Sequence, residues 1–340
     1  MIINFIGLFN APGYVGEVSD ETHIARELED MGHIVRRIPR DEWREFVIEQ
    51  RAWDKYKGIP TDLRADINIV AKWHHFYDGI FISELRDISQ APVFYWVWDF
   101  MFDSGFPDWH LKMAQQADLY LSGEAGVFDE YKKLGIKPYY FQMDVCDLKL
   151  ETVDLSTDFL AGEQLTHDVI FTGSCLGQGH RREWLQAINR EILIEVWGWN
   201  YEEWEKLGFK AYPAIYGNEY NKLIAQSKVV LGFSVEPNCW GYWSNRVGKV
   251  IRAGGNLLQE YAPGMEQFLP QSVEYFSTPE EAIEKIKYFL QPDFDRVIKT
   301  KMQENFINGR KFTSNQKVLQ LTTLMERFLK GDPLKWNKLP

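Results

Sequence analysis

Three strand-to-helix turns hold the residues best suited to chemistry. In the first, Phe171-Thr172-Gly173-Ser174 closes an apolar run, and Gly177, Gly179, His180, Arg181 and Arg182 follow within one loop and helix start. Glycines expose backbone N–H groups, Ser174 adds a hydroxyl, and a guanidinium neutralises a diphosphate. Two adjacent arginines at a helix N-terminus oppose the helix dipole, a cost that a bound anion offsets. Arg181 and Arg182 are not separable on this basis, and both also suit plain solvent exposure. The second turn, Glu236 to Arg246, is long, polar and aromatic. Ser244 and Asn245 are natural N-caps for a helix from Arg246, and Lys249 lies on the same face. Glu260 ends the next strand, where a carboxylate can accept hydrogen bonds from vicinal hydroxyls. Lys249 fits a solvated lysine equally well, and Trp240 or Trp243 fits lid packing. The third turn holds Gly13, Tyr14 and Gly16. No third glycine completes a dinucleotide fingerprint, so a substrate loop and a simple connection are equal readings. Asp20 there reads as an N-cap. His74-His75 and Asp99 follow apolar runs and are candidate bases toward a hydroxyl, although a His pair is usually structural and Asp99 also suits a helix cap.

The elements that must position these groups follow from apolar patterning. Ile2–Leu8, the helix Asp20–Met31, and Ile34–Ile38 form a βαβ unit. Ile67–Ala71, Gly79–Ser83, Val93–Trp98, Leu119–Ser122 and Lys137–Gln142 are further short strands, of the kind buried on both faces of a parallel sheet. Val127–Leu134 reads as a helix. From 150 to 166 periodicity is lost, and the interdomain linker is expected there. A second α/β pattern has strands at His167–Phe171, Glu191–Trp197, Val229–Phe233, Gly255–Gln259 and Val273–Phe276. Its helices are His180–Ile188, Asn218–Ala225, Val247–Ala253 and Pro279–Leu290, with a mostly helical tail. The expected fold is α/β, with two Rossmann-like α/β/α domains facing across a cleft. Residues 1–155 form the first domain and 165–310 the second, while 311–340 form a helical tail packed back on the first.

Length agrees, since 340 residues suit two domains of ordinary size. The net charge of -11 disfavours a general nucleic-acid binder and leaves anion binding to a few local groups. The three cysteines lack metal or disulfide spacing, which with a short apolar N-terminus lacking a basic leader points to the cytoplasm. No apolar run is long enough for a transmembrane helix, and no acidic pair is convincingly placed to hold a metal. Aromatics make up 15% of the chain, and Trp96, Trp98, Trp240, Tyr242 and Trp243 are expected along the cleft walls, stacking or simply packing.

In order along the chain, these pieces resemble the two-domain GT-B glycosyltransferases, and more narrowly the spore-maturation CgeB-like, group 1 branch. The opening match is Pro12-Gly13-Tyr14-Val15-Gly16, His23 to Leu28, and Met31 to Val35. Ala117 to Ser122 and Tyr131 to Gly135 continue it. The second half matches more strongly, through Phe171 to Ser174, Arg181, Val196-Trp197-Gly198, Ser227 to Leu231, Ser244 to Val247, Ala253-Gly254-Gly255, Val273 to Phe276 and Pro279 to Ala282.

The resemblance implies transfer of a sugar from a nucleoside-diphosphate sugar to a hydroxyl acceptor, without a metal or other cofactor, and leaning toward retention. The second domain would hold the donor: Gly173, Ser174 and Arg181 near the diphosphate, Arg246 stabilising its charge, and Glu260 close by. Arg182, Trp197, Ser244, Asn245 and Lys249 complete that set. The acceptor, whether glycan, small molecule, protein or modified nucleic acid, would lie on the first domain near Gly13, Tyr14, His75 and Asp99. One departure stands out: Lys249 replaces the glutamate that in this family bonds the ribose. A catalytically inactive nucleotide-sugar binder and a dinucleotide-dependent enzyme are the alternatives.

Overall fold

The computed structural model describes residues 1–9, 19–39, 63–71, 79–102, 105–143, 160, 162, 164–175 and 179–334. Gly13, Tyr14, His74, His75, Gly177 and most of the expected linker lie outside them. The chain divides into two compact units, one of residues 1–143 with 314–340, the other Asp144–Thr313.

Among the described residues, unit 1 holds a six-stranded parallel sheet in the order β2-β1-β3-β4-β5-β6. The strands are β1 (Ile2–Gly7), β2 (Ile34–Pro39), β3 (Ile67–Ala71), β4 (Val93–Val97), β5 (Leu119–Ser122) and β6 (Pro138–Tyr140). The helices are α1 (Asp20–Asp30), α2 (Gly79–Ser89), α3 (Asp108–Gln116) and α4 (Phe128–Lys133). Every residue of β3 and β4 is buried, as strands covered on both faces require. Asn4 and Asn68 are paired across β1 and β3, and the Asn4 amide donates to Asn68 Oδ1 at 2.9 Å and to the Leu63 carbonyl at 2.7 Å. This satisfies a polar pair that would otherwise be costly in the sheet.

Ser19, not Asp20, caps α1: its hydroxyl accepts from the Thr22 amide at 3.1 Å. Asp20 and Glu21 instead occupy the first turn, where negative charge suits the dipole. The segment 79–83, expected as a strand, is the start of α2; Phe81, Ile82, Leu85 and Ser89 are buried at helical spacing. The last helix, α11 (Ser314–Leu329), belongs to unit 1. Asn315 donates to Glu27 of α1 at 3.2 Å, Lys317 lies over the Phe141 ring, and Phe328 meets Phe94 of β4 edge-on at 5.0 Å.

Unit 2 holds a second six-stranded parallel sheet, β12-β11-β10-β7-β8-β9. Its strands are β7 (His167–Thr172), β8 (Glu195–Gly198), β9 (Lys210–Pro213), β10 (Ser227–Gly232), β11 (Leu257–Glu260) and β12 (Glu274–Phe276). Its helices are α5 (Gly179–Asn189), α6 (Tyr201–Lys206), α7 (Gly217–Ala225), α8 (Arg246–Arg252), α9 (Pro279–Phe289) and α10 (Asp295–Asn308). β8 starts at Glu195, because Glu191 and Ile192 still close the turn after α5 through bonds to the Ile188 carbonyl. β9 escapes patterning because Lys-Ala-Tyr-Pro is a short, partly exposed edge strand ending in proline. The topology turns over between β7 and β10: β8 and β9 extend to one side, β11 and β12 to the other. In open α/β sheets the ligand crevice lies at the strand carboxyl ends beside such a reversal.

Candidate functional site

The first and second chemistry-bearing turns both leave the sheet at this reversal. The first follows β7 and leads to α5; the second follows β10 and leads to α8. Between them lies the buried ring of Phe171. The guanidinium carbons of Arg181 and Arg246 each lie 5.5 Å from its centre. Arg181 is buried and donates to the Ser174 carbonyl at 2.8 Å, while Arg246 is half-buried. Among the described residues no carboxylate forms a salt bridge with either one. Burial, and then the neighbouring Arg246, pushes the Arg181 guanidinium down to about 10, and burial lowers that of Arg246. Both remain charged at neutral pH. The π face offsets part of their desolvation, but two like charges on one ring still call for an anion.

The other turn residues take distinct places. Arg182 donates to the Cys175 carbonyl at 3.0 Å and so braces the loop, which separates it from Arg181. Gly173 is the close approach: a Cβ there would fall 2.8 Å from Phe171 Cζ and 3.1 Å from Arg246 Nη2. Its carbonyl accepts from Trp204 Nε1 at 3.1 Å, and its amide donates to the Trp197 carbonyl at 2.8 Å. Trp197 thus meets the turn through its backbone, while its ring stacks on Tyr212 at 4.6 Å. Ser244 Oγ accepts from the Arg246 amide at 3.4 Å, and the Asn245 side chain makes no cap bond. Lys249 is half-buried one turn further along α8.

Gly198 admits the turn. A Cβ at that position would lie 2.0 Å from the Gly173 carbonyl oxygen, inside any allowed contact with backbone. Gly198→Ala is therefore expected to lower stability by about 1–3 kcal/mol through forced displacement of the turn. Urea unfolding of the variant against the wild type checks this.

Glu260 ends β11 buried, with Oε2 accepting from the Ser234 amide at 3.0 Å. His180, the second residue of α5, places Nε2 at 3.0 and 3.3 Å from the two carboxylate oxygens. The hydrogen bond to Glu260 raises the imidazole above its ordinary value. Sequence reading gave His180 no role, because its partner lies 80 positions away.

In unit 1, Asp99 is exposed in the loop after β4. Buried Glu124 holds that loop, accepting from the amides of Met101 and Phe102 through Oε1. Its Oε2 accepts from Tyr131 OH at 2.9 Å, Ser122 Oγ at 3.3 Å and Tyr120 OH at 3.4 Å. His110 bridges Tyr131 and Tyr95, at 2.9 and 3.1 Å, and burial pushes it down to about 3, so it is neutral. Tyr120, Ser122 and Tyr131 fall in the resemblance motifs, but the sequence alone assigns no role to them, to Glu124 or to His110.

The aromatic residues expected along a cleft are largely core. Trp96, Trp98, Tyr242 and Trp243 are buried. Trp243 packs against Phe268 at 5.3 Å, and Trp240 covers Gly264, where a Cβ would meet its indole at 2.8 Å. Among the described residues, no group of three His, Cys, Asp or Glu side chains is placed for a metal, and no helix is long and apolar enough to cross a membrane.

A family model described as glycosyl transferase-like matches residues 180–324, less than half of the chain. No curated protein matches. Solved structures match over nearly the whole chain. The Anabaena protein HepE, in complex with UDP-glucose, aligns with TM-score 0.64 at 12% identity, covering 95% of this chain and all of that one. A glycosyltransferase from Rickettsia africae aligns with TM-score 0.61 at 13% identity, covering 97% of this chain and 99% of its own. The catalytic domain of starch synthase IV from Arabidopsis thaliana, bound to ADP and acarbose, gives 0.64 at 10% identity, covering 97% and 99%. The fold is GT-B-like. Its two units are Rossmann-like, each built on one parallel sheet flanked by helices.

Proposed function

We propose that the protein is a glycosyltransferase that binds a nucleoside-diphosphate sugar in unit 2 and transfers the sugar to a hydroxyl acceptor. The observation that carries this reading is the pair Arg181 and Arg246 on the Phe171 ring, without a carboxylate partner among the described residues, beside the Gly173-Ser174 turn. Negative charge develops on the departing diphosphate, and two preorganised guanidiniums stabilise it without a metal. UDP-glucose in the HepE complex makes a uridine donor the first choice. Asp99 and His75 are the candidate bases toward the acceptor, and Gly13 and Tyr14 are candidate acceptor contacts. The order of motifs favours the CgeB-like branch, and the buried thiols Cys175 and Cys239, which form no disulfide among the described residues, suit a cytoplasmic enzyme.

Calorimetry across UDP, GDP, ADP and dTDP tests the donor site. One nucleotide is expected to bind in the micromolar range; absence of binding by all four sinks the assignment. Lys249, in place of the ribose-bonding glutamate, favours a second reading, a nucleotide-sugar binder without turnover. Donor hydrolysis or transfer across an acceptor panel separates the two.

A further inference from the structure

The pair His180–Glu260 is not needed to explain anion binding, and at first sight opposes it. Glu260 is 1% exposed and its carboxylate lies among the groups that would meet a diphosphate: its charge acts on Arg181 as well as on His180. A buried carboxylate beside an anion site raises the cost of binding unless a cation cancels it. The Ser234 amide satisfies one oxygen but brings no charge. His180 reaches both oxygens, and its side chain is 33% exposed, so it exchanges protons with solvent. The other groups acting on the imidazole are Arg181 on its own helix, Glu236 in the loop after β10, and the Trp184 ring at 5.7 Å.

We propose that His180 is the counter-charge that takes up a proton to neutralise Glu260, so that binding of the donor diphosphate is coupled to protonation of this imidazole. The proposal rests on the donor-site reading above. With the imidazole neutral, Glu260 repels the incoming anion. With it protonated, the pair is neutral overall and the field of Arg181 and Arg246 acts unopposed. The hydrogen bond to Glu260 already favours the charged ring, and a bound anion favours it further. Affinity therefore falls as pH rises from the titration of the free imidazole to that of the complex, and binding within that interval draws a proton from solution. Linkage caps the effect at tenfold per pH unit for one proton.

UDP-glucose is the probe of choice, because its diphosphate is a diester and does not itself titrate near neutrality. Calorimetry is run on the full chain between about pH 6 and pH 8.5, in buffers of different ionisation enthalpy. The expected result is about five- to tenfold tighter binding at the acid end than at the alkaline end, with net proton uptake at the pH values between, where affinity is changing. His180→Gln, whose amide can still donate to Glu260, should flatten the profile and abolish the uptake. Glu260→Gln should do the same, and serves if the first variant does not fold. Wild-type binding with equal affinity at both ends and no uptake overturns the proposal, as does uptake that survives in His180→Gln. No UDP-glucose binding at any pH is a different failure: it removes the donor site and the proposal with it.

Discussion

Arg246→Ala should weaken UDP-glucose binding roughly tenfold to a hundredfold, the range for losing a charged hydrogen bond of about 1.5–3 kcal/mol. Its effect on the unliganded protein should be small and can have either sign. Removing the guanidinium forfeits its contact with the Phe171 ring but also relieves repulsion of Arg181. A residue that merely braced the fold would show the reverse pattern, a lower melting temperature with affinity intact. Arg246→Lys should recover only part of the affinity, since an ammonium lacks the planar fork that grips two phosphate oxygens. Calorimetry paired with thermal unfolding of the three proteins reads both quantities. Loss of stability without loss of affinity would falsify the assignment of Arg246 to the anion.

The largest stability effect is expected in unit 1, from Glu124→Ala. That substitution strands the Met101 and Phe102 amides in the interior and removes one acceptor from the hydroxyls of Tyr120, Tyr131 and Ser122, although the two tyrosines keep each other and His110 as partners. A cost of about 3 kcal/mol or more follows, since each buried unsatisfied group costs about 1–3 kcal/mol. Glu124→Gln keeps an acceptor for the two amides and should cost less. Burial also pushes the Glu124 carboxyl from its ordinary 4.5 up to about 7. The folded state therefore holds this proton more tightly than the unfolded chain does. Over that interval the native protein binds more protons, so the Glu124 contribution to stability is present below the unfolded value. It is lost as pH rises toward 7. Urea midpoints at pH 5 and pH 7.5 should show this decline in the wild type and a flatter profile in Glu124→Gln. An unchanged slope in the variant would assign the decline to other groups.

What could be read from the chain divides along physical lines. Strands buried on both faces announce themselves, and Val-Phe-Tyr-Trp-Val of β4 is legible from local composition. Lys-Ala-Tyr-Pro of β9 is not, because an edge strand lacks that signature. The five-residue run Gly79–Ser83 fits either period; Leu85 and Ser89 decide for the helix once their burial is known. At the site, Gly173, Arg181 and Arg246 were legible as turn chemistry. Their meeting on one ring was not, because it depends on β7 and β10 being neighbours. The same limit hid His180 from Glu260. Glu124 sits in a Leu-Ser-Gly-Glu-Ala-Gly stretch that reads as a surface loop, and only tertiary burial makes it central. Aromatic content gave a number without an address: Trp243 is core although its loop looked like a ligand wall.

The placement of α11 has a consequence for how the chain is made. Unit 2 is one uninterrupted stretch, Asp144–Thr313, and has all its parts once that stretch has left the ribosome. Unit 1 starts first but finishes last. The surface formed by Glu27 of α1, Phe94 of β4 and Phe141 waits for Asn315, Phe328 and Lys317. Throughout synthesis of the intervening unit, the Phe94 and Phe141 rings lack the cover that α11 gives them. A nascent chain arrested just after Thr313 should thus present a finished unit 2 and an unfinished unit 1, the younger domain maturing before the older.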